Sequence, residues 1–233
     1  MVVSRVGDCW DLTWKLLRIG MSLLRSWLDS LKSLTGGTGG GVSDRELREL
    51  AAEAERASPG ARWAVFNRLG DAYLKADDRI RALRYFGKSI DALLEDDQPE
   101  PARAVAKKVI RLHPEAIRTL CTLTWLDLAS MKSPAAVATL KEYVKVAKEG
   151  KRERLACGQI LEMTRLVSDP LFLAEAITAL EGLGCTADSA QAREWLEGGG
   201  SPTAPKDPKE LHILCLKAAI GSNQKMKTKG ALA

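Results

Sequence analysis

Apolar residues recur at helical spacing along most of the chain. Between residues 43 and 197 they return every three or four positions, which is the period of a helix with one buried face. No segment alternates apolar and polar residues between turn signals, as a half-buried strand would. Pro59, Pro99, Pro134 and Pro170 stand at helix starts or breaks, where proline is tolerated. The pattern predicts an all-α protein with consecutive helices over residues 43–56, 61–75, 79–94, 99–112, 115–130, 134–148, 152–167, 169–183 and 187–197.

A further amphipathic segment lies at residues 10–34. On a helical wheel its apolar residues cover more than half of the circumference, and Lys15, Arg18 and Asp29 lie in the remaining arc. These charges argue against a transmembrane span, which needs about 20 apolar residues in a row, and against a secretory signal peptide. Tryptophan prefers the boundary between lipid headgroups and water. We therefore expect an N-terminal helix that docks on a membrane or an apolar partner through Trp10, Trp14, Leu17, Met21, Leu24, Trp27, Leu28 and Leu31.

Two glycine-rich stretches divide the chain. Residues 36–42 are a flexible linker between the docking helix (residues 1–35) and the helical body (residues 43–197). A helix on such a tether favours binding away from its own domain, although a helix that folds back on the body would show the same stripe. A second linker opens the C-terminal segment, residues 198–233.

The C-terminal segment is predicted to form an arm that consists of a short helix and a basic tail. After the linker, residues 209–220 can form one short helix, and Lys225, Lys227 and Lys229 make a loose basic tail. The tail is either a disordered, solubilising end or part of an arm that lies along a partner or an acidic lipid face. The apolar residues of that arm are Leu211, Leu214 and Ile220.

Charge is concentrated at the two ends of the chain. The formal net charge is +5, of which residues 1–42 carry +2 and residues 206–233 carry +4, so the body is close to neutral. A fold that grips nucleic acid would carry its positive charge on the body. The distribution instead favours ends that meet an anionic surface, and no nucleic-acid partner is expected.

The five cysteines are scattered singly, without a C-x-x-C motif. Neither a zinc site nor a disulfide framework is predicted, and free cysteines favour a reducing compartment, the cytoplasm. His113 and His212 lack partners at metal-ligand spacing. The acidic pairs Asp77-Asp78 and Asp96-Asp97 fall at helix boundaries, where caps favour acids. No catalytic, metal or cofactor site is predicted, so we do not expect an enzyme.

One stretch carries a known repeat pattern. Its aromatic, Leu-Gly, tyrosine and small positions are Phe66, Leu69, Gly70, Tyr73, Ala82 and Phe86. In this spacing the stretch resembles the tetratricopeptide repeat, a helix–turn–helix unit of 34 residues. It departs from the pattern in that Phe66 replaces tryptophan, Ser89 stands at a small position and Leu94 replaces the closing proline.

Later units are fainter. Thr124, Ala136, Leu140 and Tyr143 take corresponding positions in a second unit, and Gly158 lies 34 residues after Thr124. Thr124 follows Gly70 by 54 positions, one repeat plus 20 residues, so residues 95–114 are interpreted as one additional helix.

The resemblance implies a right-handed α-solenoid, an interaction module without chemistry of its own. In such folds the first helix of each unit lines a concave groove. Here those positions hold Asn67, Asp71, Leu74, Arg118, Cys121, Trp125 and Leu128. The lysine and asparagine clamp of chaperone-binding members is missing from them. Trp125 is either a groove hot spot or a core residue.

Together these features predict a non-catalytic scaffold or accessory subunit. It would dock on the cytoplasmic face of a membrane, peripheral to the inner membrane, and organise a protein complex such as a photosynthetic or respiratory assembly. Protein subunits are the expected partners, with anionic lipid as a second ligand, and no cofactor is expected. The alternative is a soluble adaptor that binds a partner peptide in its groove.

Overall fold

The computed structural model describes the backbone of residues 42–228 and the side chains of residues 42–223. This range contains helices and short connections and no strand, which confirms the all-α prediction. The ten helices are α1 (Asp44–Arg56), α2 (Pro59–Lys75), α3 (Arg79–Glu95), α4 (Pro99–Leu112), α5 (Ile117–Ala129), α6 (Ser133–Glu149), α7 (Glu153–Leu166), α8 (Pro170–Gly182), α9 (Thr186–Glu197) and α10 (Pro208–Thr228).

The chain divides into two units, residues 1–41 and residues 42–233, and the ten helices belong to the second. The predicted docking helix at residues 10–34 lies outside the described residues. Within the described residues, none of the helices is both long enough and apolar enough to cross a membrane.

Local signals set the helix starts. The side chains of Ser43, Asp78 and Asp169 accept hydrogen bonds from the backbone N–H three residues later, at 3.2, 2.9 and 2.9 Å. Such caps satisfy N–H groups that have no partner inside the helix. Proline occupies the first turn of α2, α4, α6 and α8. For this reason α1 to α9 begin and end within two residues of their predicted bounds.

Helix ends repeat one backbone geometry. A residue with positive φ follows α2, α3, α5 and α6: Asp77 (57°), Asp97 (55°), Met131 (54°) and Lys151 (53°). At each end, as with Asp78 N to Tyr73 O, a further N–H closes back on the last turn, the Schellman arrangement. Asp77 and Met131 are 54 positions apart, and so are Asp97 and Lys151. This offset equals the one between Gly70 and Thr124, so α2–α4 and α5–α7 have matching turns.

Three pairs of consecutive helices pack extensively, α2 with α3, α5 with α6 and α8 with α9, and α10 packs extensively on α5. In the first pair the backbone at Gly70 lies directly against the Phe86 ring. A Cβ on Gly70 would lie 2.5 Å from Cε1 of Phe86, and Phe86 and Ala82 are fully buried. The small residue therefore sets the distance between α2 and α3. At Gly158, which lies 34 residues after Thr124, an added Cβ meets nothing within 4 Å, so no close helix crossing occurs at this glycine.

Alanine substitutions at these two glycines should have opposite effects. Gly70→Ala is expected to lower the free energy of unfolding by about 1–3 kcal/mol, because overpacking costs more than the helix propensity gained. Gly158→Ala is the matched control, and there the gain of up to about 1 kcal/mol in propensity should appear unopposed. Urea unfolding followed by circular dichroism measures both, and a stabilised Gly70→Ala variant would contradict the close crossing.

Candidate functional site

The predicted groove residues on α2 lie at the surface of the helical body, and two of them contact other parts of that body. Asn67, Asp71 and Leu74 are half-buried. Nζ of Lys108, on α4, lies 2.6 Å from Oδ1 of Asp71. Leu74 packs against the core. Asp71 and Leu74 thus already have partners within the body, although the Asp71 side chain remains 44 % exposed.

The predicted groove residues on α5 do not line an open groove. Every residue from Thr119 to Ala129 is buried, including Trp125 with no exposed surface and Leu128 with 3 %. α4 and α6 cover part of α5, and α10 packs along another side of it and also contacts α3 and α7. We call the surface that α10 covers the α10 face; its polar and aromatic members are Asp91, Arg118, Cys121, Thr122, Trp125 and Gln159.

The C-terminal arm is longer than predicted and lies on the protein itself. The helix extends to Thr228 instead of residue 220, so Lys225 and Lys227 belong to it. Leu211 and Ile220 are partly buried against the core, and Leu214 lines a cavity beside α5. In this structure the apolar residues of the arm thus have an intramolecular partner. The physical reason is that Cys215 and Ala219, fully buried one turn apart, let α10 approach α5 closely.

Hydrogen bonds fix the C-terminal end of α10. The hydroxyl of Thr122 donates to Oδ1 of Asn223 at 2.9 Å. Nδ2 of Asn223 donates to Oδ1 of Asp91 at 3.2 Å, and Arg118 forms an ion pair with the same carboxylate. The Asn223 amide thus joins α10 to α5 and α3 together. Asn223 is 3 % exposed, so losing these bonds would leave a buried polar group unpaired.

His212 fixes the N-terminal part of α10. Its Nδ1 lies 2.9 Å from the carbonyl oxygen of Ala129, the last residue of α5. A carbonyl oxygen only accepts, so Nδ1 carries the proton in this contact. Because the last carbonyls of a helix have no partner inside it, the imidazole caps α5. Sequence reasoning did not connect His212 with α5, since 83 positions separate the two residues.

The cysteine at the centre of the α10 face is buried. Burial raises the pKa of the Cys121 thiol to about 11, and contacts with Ser222, Tyr143 and Trp125 offset only part of this rise. Burial likewise raises the pKa of Cys215 to about 12. Both thiols are therefore protonated at neutral pH, whereas a reactive cysteine is a thiolate. Cys121 instead makes weak polar contacts with Ser222 Oγ at 3.4 Å and Gln159 Oε1 at 3.8 Å.

A cavity of about 330 Å³, open to the surface, lies beside the contact of α10 with α5 and α7. Trp125, Leu166, Leu214 and Ala218 supply its apolar wall, and Gln159 and Lys217 supply polar groups. The indole N–H of Trp125 faces the Cys121 thiol but makes no hydrogen bond of ordinary geometry. α10 therefore leaves part of the apolar surface beside it unfilled.

A disulfide corrects the expectation that all cysteines are free. Cys157 of α7 is bonded to Cys185, the residue before α9, across 28 positions. The spacing carried no sign of this pairing, because it arises when α8 returns the chain past α7. Cys121 and Cys215 are free and buried. A disulfide removes the reason for assigning a reducing compartment. Within residues 42–228, no three side chains of the metal-binding types are grouped to hold an ion.

Comparisons with known proteins add no assignment. No protein family, curated protein or solved structure matches the chain. The tetratricopeptide likeness therefore rests on the residues of α2 and α3 given above, and functional interpretation rests on the α10 face and the sequence.

Proposed function

We propose that this protein is a non-catalytic scaffold or accessory subunit, a tetratricopeptide-like solenoid that binds helices on its α10 face. One observation carries the proposal: α3, α5 and α7 together hold α10, with polar contacts at His212 near its start and at Asn223 in its second half. Such a face recognises another helix through small residues and a few placed hydrogen bonds. On this face the Cys121 thiol contacts Ser222 of α10, and the Asp91 carboxylate that pairs with Arg118 accepts from Asn223.

A second part of the proposal concerns location and rests on the sequence. The tryptophan-bearing segment at residues 10–34 is suited to lie at a membrane surface or against an apolar subunit. With it, the scaffold docks on a membrane complex through protein subunits or anionic lipid, and the basic ends of the chain are the remaining support for the cytoplasmic side. The soluble adaptor that binds a peptide is the alternative.

Cell fractionation tests the docking. Leu17→Glu with Leu24→Glu places two charges on the apolar arc of residues 10–34, and Ser22→Glu with Ser33→Glu places the same charges on the polar arc. We expect the first variant to lose co-sedimentation with membranes and the second to retain it. Isolation of intact membrane complexes should find the wild-type chain in a large assembly. If the wild type and both variants remain soluble at low salt, the docking proposal fails and the soluble adaptor stands.

A further inference from the structure

We propose that the α10 face is a binding site for a helix of a partner protein, and that α10 is the tethered occupant which this helix displaces. The inference rests on the proposed scaffold function and names the chemistry of its ligand. The partner helix carries small or hydroxyl side chains at positions four and three apart, followed by an amide. α10 itself shows this chemistry on its buried side.

The first support is the spacing of small residues on α10. Cys215, Ala219 and Ser222 follow each other at four and three positions, so they lie on one side of the helix. All three are at most 4 % exposed. A ligand helix must keep these positions small, because a larger side chain there would push its backbone away from α5.

The second support is the amide that follows this series. The Asn223 amide accepts from Thr122 and donates to Asp91, on two different helices of the body. A helix without an amide at this position would lose both hydrogen bonds. Recognition by a single amide bridging two helices therefore selects among helices that share the small residues.

The third support is the unfilled space beside α10. The cavity of about 330 Å³ borders Trp125 on α5 and Leu166 on α7, and Ala218 and Gly221 of α10 do not fill it. A ligand helix with leucine at the position of Ala218 would bury additional apolar surface there. α10 is thus a suboptimal occupant, and a better-fitting helix can compete with it.

The linker before α10 allows a partner helix to replace α10 on the face. Ten residues, 198–207, connect α9 to α10 and begin with three glycines. The linker contacts the body where Gly200 lies against Ser168, at the buried Ser201, and through Thr203 Oγ1, 3.5 Å from the carbonyl oxygen of Arg165. Exchange breaks these contacts, which lie outside the interiors of α1–α9 and leave their backbone hydrogen bonds in place. A flexible linker of this length holds its helix at an effective concentration on the order of 1 mM. A free ligand helix must therefore bind the face more tightly than α10 does, or the contacts of α10 with the face must be weakened.

Binding of a fluorescent peptide with the sequence of residues 208–228 to the full chain tests the inference. Ala219→Glu in the chain places a charge at a fully buried position of α10 and should open the face. Ile213→Glu is the matched control, since it places the same side chain where α10 is half exposed. We expect the Ala219→Glu chain to bind the peptide at least about tenfold more tightly than the wild type or the control, because tethered competition is removed.

Peptide variants identify the recognised groups. A peptide with Asn223→Ala should bind the opened chain about fivefold to tenfold more weakly, since two hydrogen bonds are lost. A peptide with Ala218→Leu should bind more tightly because it fills the cavity. If circular dichroism shows that the Ala219→Glu chain is unfolded, Asn223→Ala in the chain is the second, milder way to weaken α10.

Three results would overturn the inference. One is equal peptide binding by the opened and control chains, and another is indifference of binding to Asn223→Ala in the peptide. The third is concentration-dependent dimerisation that the peptide does not reverse, which would assign the face to a second copy of the chain. Fractionation results do not affect this test, so failure of membrane docking and failure of helix exchange can be told apart.

Discussion

Arg103→Met is expected to lower the free energy of unfolding by about 3–5 kcal/mol, the cost of leaving a buried charge without its partner. Arg103 is 4 % exposed and lies within α4. Its Nε lies 3.3 Å from Oδ1 of Asp127, whose side chain is 6 % exposed. It also donates to Ser130 Oγ at 2.7 Å and to the carbonyl of Leu126. One side chain thus joins α4 to the end of α5.

The effect of this substitution should depend on pH. Burial raises the pKa of Asp127, and the charge of Arg103 offsets part of that rise. Without Arg103 the pKa of the folded state rises further above that of the unfolded chain. Stability from the protonated carboxyl is then present below the unfolded pKa and is lost as the pH rises through the folded pKa. The deficit of Arg103→Met relative to the wild type should therefore be larger at pH 7 than at pH 4.

Matched controls separate the buried pair from a general loss of charge. Arg45→Met removes arginine from an exposed ion pair with Glu49 in α1 and should cost less than about 0.5 kcal/mol. Arg103→Met combined with Asp127→Leu should recover most of the loss, because no unpaired charge remains. Urea unfolding at both pH values measures all three. A single Arg103→Met variant within about 1 kcal/mol of the wild type would contradict this role.

Loss of the Cys157–Cys185 disulfide is expected to cost about 3–4 kcal/mol, the loop-closure estimate for a bond that spans 28 positions. Cys157 is buried in α7, whereas Cys185 precedes α9 and is partly exposed, so the bond ties α7 to the α8–α9 pair. Thermal unfolding with and without dithiothreitol measures the effect on the wild type. Cys185→Ser should show the lowered transition without reductant and no further change with it.

Peptide mapping of the unreduced protein provides the control for this prediction. It should recover a linked fragment that contains Cys157 and Cys185, while Cys121 and Cys215 alkylate after unfolding. An unchanged transition temperature on reduction of a protein shown to contain the bond would contradict the stabilising role of the disulfide.

The helix boundaries were predictable because their causes are local. Ser43, Asp78 and Asp169 cap helices within three residues of themselves, and proline fixes its own φ. Gly70 could also be identified, since it belongs to a repeat pattern with Phe86. The disulfide and the docking of α10 could not, because they join residues 28 and about 100 positions apart. Spacing along the chain does not report such pairings.

One signal for the covered α5 was present in the sequence. Leu120, Cys121, Leu123, Trp125 and Leu126 place apolar residues around the whole circumference of the helix. A helix that is apolar on all sides is buried on all sides, whereas a helix that lines an open groove keeps a polar side. Thr122 and Gln159 gave no such signal, since their partners Asn223 and Cys121 lie on other helices.

Hydrogen exchange of the wild-type full chain tests the central claim, that α3, α5 and α7 form a face which holds one helix at a time. The exchange is followed by mass spectrometry with and without excess unlabelled peptide of residues 208–228 carrying Ala218→Leu. We predict faster exchange in α10 of the chain, which is displaced, and unchanged protection in α5, which remains covered by the peptide. Unchanged exchange in α10 at saturating peptide, or loss of protection in α5 together with α10, would contradict the claim.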